Sequence, residues 1–306
     1  MMATMATIAT VVVGLTLIYV LYRTIKGRPV ERRIVFVYIA FSVILPLMMQ
    51  ISPPLPITGD VLKVYDNIKV LQPGSKVLCA FDYDPPSAPE LQPMAVAFMK
   101  YAFKHDLKVI IMGLWPQGPQ QAQMAVEEAM LDPEVAAKNL QEGIDWVNLG
   151  FQSGNEFVIQ SMGSEFKRMF PKDDRLVPYD SIPLMKNVVN FSNIDYVMNF
   201  SSGKPGTVEW VQIGVDRFGV KMSAGNTAVQ APMVYPYLRA GQLLGILGGM
   251  SGAAEFEKVL DEEGDASTFL LAQMFAHATV IAFIIIGNIA FFIGGRRKKI
   301  TTPQVK

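Results

Sequence analysis

Between Phe269 and Gly295 the chain runs FLLAQMFAHATVIAFIIIGNIAFFIGG, without one Asp, Glu, Lys or Arg, and then turns at once to Arg296, Arg297, Lys298 and Lys299. A segment this long and apolar matches the roughly 30 Å hydrocarbon core of a bilayer, and the basic cluster behind it is a stop and orientation signal. Two more runs share the pattern. Ala6 to Tyr22 (ATIATVVVGLTLIYVLY) and Ile34 to Ile51 (IVFVYIAFSVILPLMMQI) flank the basic stretch RTIKGRPVERR. The expectation is three transmembrane helices: an N-terminal hairpin over 1–51, with spans at about 6–22 and 34–51, and a C-terminal span with a basic cytoplasmic tail over 269–306. Cations follow the first run rather than precede it, so it reads as a retained span and not a cleaved signal. Pro46 marks a kink in the second.

Composition agrees: 51% hydrophobic and 18% charged residues with a mean hydropathy of +0.28 are too apolar for a disordered chain and fit a membrane protein. The zero net charge conceals a segregation. Loop 23–33 and tail 296–306 hold ten Lys and Arg against Glu31 alone, whereas 52–268 hold 17 Lys and Arg against 26 Asp and Glu. Cations in short loops favour the cytoplasmic side. The expected location is therefore the cell membrane, multi-pass, with loop 23–33 and the tail inside and the acidic 52–268 segment extracytoplasmic.

Within that segment the pattern alternates. Lys76–Phe81, Lys108–Trp115, Ile144–Phe151, Asp195–Ser202 and Val220–Gly225 read as strands, continuously apolar as strands covered on both faces are. Ala88–His105, Gln117–Met130, Asn155–Met162 and Thr207–Phe218 read as the helices between them, with S-x-x-E capping boxes at Ser87/Glu90 and Ser153/Glu156. This predicts an α/β fold with a doubly wound, mainly parallel Rossmann-like sheet. Cys79, the only cysteine, falls inside the first strand and reads as a small core residue. The irregular stretch Phe166–Pro183 is expected to be either a lid over the sheet or a contact arm.

In open parallel sheets ligands sit beyond the carboxyl ends of the strands. Those ends supply Asp82, Asp84, Trp115, Gln117, Gln152, Asn155, Ser201, Ser202, Lys204 and Asn226. From them Asp82, Asp84, Gln117, Asn155, Ser202 and Lys204 are the candidate ligand-binding set. Asp82-x-Asp84 resembles the phosphotransferase-type haloacid dehalogenase motif and a glycosyltransferase metal pair, but Pro86 stands where the first expects Thr or Val. Use of Asp84 in the turn before Pro85 and Pro86 is the stronger expectation. The loop SSGKPGT at Ser201–Thr207 has the ingredients of an anion cradle yet fails the phosphate-loop spacing, since Lys204 precedes Gly206. With His105, His277 and Cys79 alone, a Cys/His zinc site is excluded, and no G-x-S-x-G elbow occurs. No metal, no cofactor and no catalytic residue is assigned. His277 and Asn288, polar inside the third span, are read as interhelical contacts.

Arg239–Leu260 (RAGQLLGILGGMSGAAEFEKVL) places Gly241, Gly245, Gly249 and Ala253 four residues apart. On one helix over 239–260 they would form a smooth face, either for a second copy of the chain or for packing within the domain.

The motifs FDYDPPSAPE, GLWPQGP and LGFQSGNE, with YPYLRAGQLLGILGGMSGAAEFE before the last span, resemble a group of uncharacterised prokaryotic membrane proteins over about residues 76–295. The resemblance implies a Rossmann-like extracytoplasmic portion and carries no catalytic residues. The leading expectation is a non-enzymatic structural or assembly protein that homo-oligomerises through Gly241, Gly245, Gly249 and Ala253. Its partners would be the lipid bilayer, copies of itself and other membrane proteins, with no nucleic acid. The alternatives are a ligand-binding or sensory domain using the strand-end pocket and, more weakly, a metal-dependent hydrolase or transferase.

Overall fold

The computed structural model describes residues 15–26, 31–49, 55–262 and 264–300. The chain divides into two units: residues 1–52 with 271–306, and residues 53–270.

The first unit contains helices α1 (Leu15–Ile25) and α2 (Arg32–Met49). Most of the final helix, which runs from Ala266 to Ile300, also belongs to it. Among the described residues that last helix alone is long and apolar enough to cross a membrane, over Ala266–Ile293. Over the described residues the two N-terminal helices are shorter than a span. Most of the first expected span, and the last residues of the second, lie outside the described residues. The three-span expectation is thus met here by one candidate span. Tyr38 and Phe283 meet edge to face at 5.6 Å. His277 and Asn288 are exposed along the long helix.

The second unit opens with α3 (Gly59–Ile68) and β1 (Lys76–Asp82), then α4 (Ala88–Lys104), β2 (Lys108–Gly113), α5 (Gly118–Ala129), the short α6 (Pro133–Ala136) and β3 (Trp146–Phe151). After α7 (Glu156–Met162) and α8 (Phe166–Met169) come β4 (Tyr196–Ser201), α9 (Thr207–Glu209), a π-helical stretch Trp210–Val215, α10 (Asp216–Phe218) and β5 (Met222–Asn226). The unit closes with α11 (Ala231–Arg239), β6 (Ile246–Gly248), α12 (Gly249–Leu260) and the start of α13 (Ala266–Ile300). The six strands form one all-parallel sheet in the order β3-β2-β1-β4-β5-β6.

Every residue of β1 after Lys76 is buried because both sheet faces are covered. Val77, Cys79 and Phe81 face one core with α3, α4, α5 and α12, while Leu78 and Ala80 face the other with α7, the π-helical stretch and α11. Cys79 is a free thiol within the first core, and burial raises its pKa. The stretch Phe166–Pro183 is no protruding arm. Phe166, Phe170, Tyr179 and Ile182 bury into the second core, covering the sheet where a regular crossover helix would lie.

Neither capping box forms. Ser87 Oγ donates to Asp84 Oδ1 (2.9 Å), and Glu90 Oε2 accepts from the Ala228 backbone N–H (2.8 Å). The second helix begins after Asn155, with no side-chain cap bond.

The expected helix over 239–260 is broken. Gly241 lies in an exposed turn, Gly245 precedes the edge strand β6, and only Gly249 and Ala253 belong to α12. The recurrence of small residues therefore serves close approaches in different elements. A Cβ on Gly245 would lie 2.6 Å from the Val64 backbone nitrogen, and one on Gly249, whose φ is +60°, 2.9 Å from Ala228 Cβ. Ala253 is fully buried in the first core. These residues join α3, β6 and α12 within the domain, so they do not form the single face expected for a second copy.

Gly245→Ala is expected to lower stability by about 1–3 kcal/mol, since the new methyl would meet the Val64 backbone nitrogen as well as its Cγ2, and the backbone cannot turn aside as a side chain can. Gly59→Ala, where a methyl meets open space, is the neutral control. Urea unfolding of the full chain in detergent reads both.

Candidate functional site

The sheet order reverses between β1 and β4, the strands whose crossovers lead away in opposite directions, and this is where open α/β sheets leave a crevice. A buried polar network fills the carboxyl end of that junction. Asp82 is the last residue of β1 and is fully buried. Its Oδ1 accepts from the Leu114 backbone N–H (2.8 Å). Its Oδ2 accepts from Asn199 Nδ2 (2.7 Å) and Trp210 Nε1 (2.9 Å). One carboxylate thus ties β1 to the loop after β2, to β4, and to the helix after β4. Trp210 opens the π-helical stretch, a local widening often found at functional positions.

The network continues across β4 and β5. Thr207 Oγ1 donates to Asn199 Oδ1 (2.6 Å) and accepts from Asn226 Nδ2 (2.7 Å), which also reaches the Ser201 carbonyl (3.4 Å). Gln230 Nε2 donates to the Gly203 carbonyl (2.9 Å). Buried Glu209 accepts from the Gly206 backbone N–H (2.9 Å) and pairs with Lys204 at 3.3 Å. Trp115, half-buried, donates from Nε1 to the Pro205 carbonyl (2.7 Å) and flanks Gly203. Among the described residues two buried acceptors have no partner, Asn226 Oδ1 and Gln230 Oε1, as does one buried donor elsewhere, Trp146 Nε1.

Burial pushes the Asp82 carboxyl up to about 7, with a smaller upward push from the charge of Glu209, while the Leu114, Trp210 and Asn199 donors pull it down. All three named neighbours are donors, which suits the ionised form and leaves a proton on Asp82 no acceptor among them.

The expected site residues separate. Asp82 is the centre, and the Ser202 backbone N–H donates to its carbonyl (3.2 Å). Lys204 lies on the same turn, its side chain 80% exposed. Asp84 is a turn residue that binds Ser87, as its position before two prolines implies. Gln117 and Asn155 are exposed residues preceding α5 and α7, and none of the network's hydrogen bonds includes them. Sequence reasoning missed Asn199, Thr207, Glu209, Trp210 and Gln230. The available signal was polarity inside otherwise apolar strand and helix patterns, at Asn199 and Thr207 above all.

A separate cleft of about 360 Å³ is lined by α4, α5, α12 and the turn into α13, including Pro89, Pro93, Val96, Glu128, Glu257 and Asp265. Two of its acids, Glu257 and Glu262, serve the fold. Glu257 caps α13 by accepting from the Ala266 (3.0 Å) and Ser267 (3.4 Å) backbone N–H groups, and Glu262 pairs with Lys104 at 2.7 Å. Burial pushes Glu257 up to about 7. Among the described residues no group of three or more His, Cys, Asp and Glu converges to hold a metal ion.

Fold and site together define an α/β protein with a six-stranded all-parallel sheet, a polar network at the β1/β4 junction and one candidate C-terminal membrane helix. No protein-family model matches the chain, and no curated protein or solved structure matches it.

Two outcomes follow from the network. A carboxyl whose folded pKa is about 7 against an ordinary value near 4 favours the fold fully below pH 4, and that contribution is lost as pH rises through 7. Stability should therefore fall over this window by up to about 1.4 kcal/mol per pH unit from this group. Asp82→Asn should flatten the slope relative to the parent while Glu257 acts equally in both, as read from urea midpoints at several pH values. Thr207→Val, near-isosteric, strands two buried amides and should cost about 2 kcal/mol or more in the same assay.

Proposed function

We propose that this chain is a membrane-anchored, extracytoplasmic binding protein that holds a small ligand at the β1/β4 edge of its parallel sheet, without a catalytic step. The observation that carries this reading is the buried network from Asp82 to Asn226, which ends in two unpartnered acceptors where α/β sheets receive ligands. Buried polar atoms are ordinarily paired, so two such atoms beside one turn point to a group that completes them. An assembly role would need a surface other than the Gly241–Ala253 segment, whose close contacts lie inside the domain.

The membrane part of the proposal is a multi-pass anchor with both basic segments in the cytoplasm and the acidic domain outside, supported by the charge segregation and by the apolar length of α13. Cys79 is the only cysteine and is buried, so the parent should give little background to a membrane-impermeant maleimide. Leu131, 81% exposed, is a suitable reporter position. Leu131→Cys should label in intact cells; labelling only after permeabilisation would reverse the sidedness.

Binding is tested by thermal shift of the full chain in detergent against nucleotides, sugars and divalent cations. A ligand at 100 times its Kd stabilises by about 2.7 kcal/mol, which raises Tm by a few degrees. An unmoved Tm across that set would overturn the binding reading.

A further inference from the structure

The last helix begins on a buried carboxyl. Glu257 of α12 is 3% exposed, and its two oxygens receive the first two backbone N–H groups of α13, Ala266 on Oε1 (3.0 Å) and Ser267 on Oε2 (3.4 Å). The connection between the two helices is folded over it. Glu262 N–H donates to the Glu257 carbonyl (3.0 Å), and Gly264 lies so close that a Cβ there would collide with Glu257 Oε1. Ala266 and Leu270 then bury in the first core. One side chain thus fastens to the domain the start of the described helix that is long and apolar enough to cross a membrane.

Two opposing effects act on that carboxyl. The N–H donors favour its ionised form. Against them stand burial and like charge. Asp265 on the connection and Glu128 on α5 line the same cleft, with Lys100 on α4 as the counter-charge, while Glu262 is held by Lys104. Burial is the largest effect, so Glu257 is pushed up to about 7 rather than down. If the connection lifted, the carboxyl would return to water and to an ordinary value of about 4.3. The closed form therefore keeps a proton that the open form releases, so closure strengthens as pH falls below about 7 and is weakest above it.

We propose that the α12–α13 joint is a proton-operated clasp: a proton reaching Glu257 through the cleft closes the connection over it, and loss of that proton frees the first turn of α13. The proton sits on Oε2, whose bond from Ser267 is the longer of the two, while Oε1 keeps Ala266. The clasp sets how firmly the sheet domain holds the beginning of α13, independently of any ligand at the β1/β4 junction.

Hydrogen exchange of the full chain in detergent, resolved by mass spectrometry of its peptides, tests this at about pH 5.5 and about pH 8, with labelling times scaled to the intrinsic rate at each pH. Peptides covering 264–270 should be about tenfold better protected at the lower pH, measured against β2 in the same digest. Glu257→Gln, whose amide stands in for the protonated acid, should hold the segment closed at both pH values. Asp265→Asn, at an exposed position, removes a neighbouring charge and should shrink the difference, and it serves if Glu257→Gln fails to fold. Equal protection at the two pH values in the parent, or better protection at the higher one, would overturn the clasp. A difference that persists unchanged in the variants that fold would place the titration on another group and overturn it equally.

Discussion

A carboxylate taken out of water at the end of a central strand must be matched by donors, and the arrangement around Asp82 follows from that requirement. No single element supplies the match. One donor comes from the loop after β2, one from β4 and one from the helix after β4, so the position of Asp82 constrains three connections at once. Asn199, held by Asp82 on one side, accepts Thr207 on the other, and Thr207 in turn accepts Asn226 from β5. A polar thread thus crosses the strand ends at the junction where helices leave for opposite faces.

Around this thread the stabilising bulk is ordinary. β1 alternates its side chains between two apolar layers, with Phe81 and Phe200 in ring contact at 5.1 Å on one side and Leu78 and Ala80 on the other. The irregular segment after α7 supplies Phe166, Phe170 and Tyr179, and the Tyr179 hydroxyl donates to the Val188 carbonyl (2.7 Å). A segment with three prolines and no period still seals a sheet face when its aromatic residues are spaced to reach it. The acids nearest α13 act similarly as fasteners, which explains the burial of Glu257 without a ligand.

The alternation of strand and helix was legible because continuous apolar runs have one economical explanation, a strand covered on both faces. The second and fourth runs, Lys108–Trp115 and Asp195–Ser202, contain β2 and β4 and overshoot them slightly. β6 was hidden, since Ile246–Gly248 is three residues long inside a glycine-rich run whose four-residue recurrence imitates a helix. The capping boxes failed for a related reason: Ser87 and Glu90 fit a local pattern, but each had a stronger partner, Asp84 nearby and Ala228 far along the chain. At the site, Asp82 stood out as a charge at a strand end. Asn199 and Thr207 did not, because their meaning lies in a pairing between β1, β4 and β5 that no window of sequence contains. Gln230 becomes informative only when its nitrogen is seen on Gly203 and its oxygen on nothing.

The two borders of the sheet are unequal in length and alike in effect. β6 offers only three residues of open backbone, and β3 carries a register shift against β2 and is overlaid by the following segment, whose Asp174 N–H donates to the Asn148 carbonyl (3.0 Å). Neither border is a long flat template for strand addition. Wherever copies meet at high local density, this guards against fusion of sheets into a continuous ribbon. Copies brought close together thus lack a matching border through which their sheets could join.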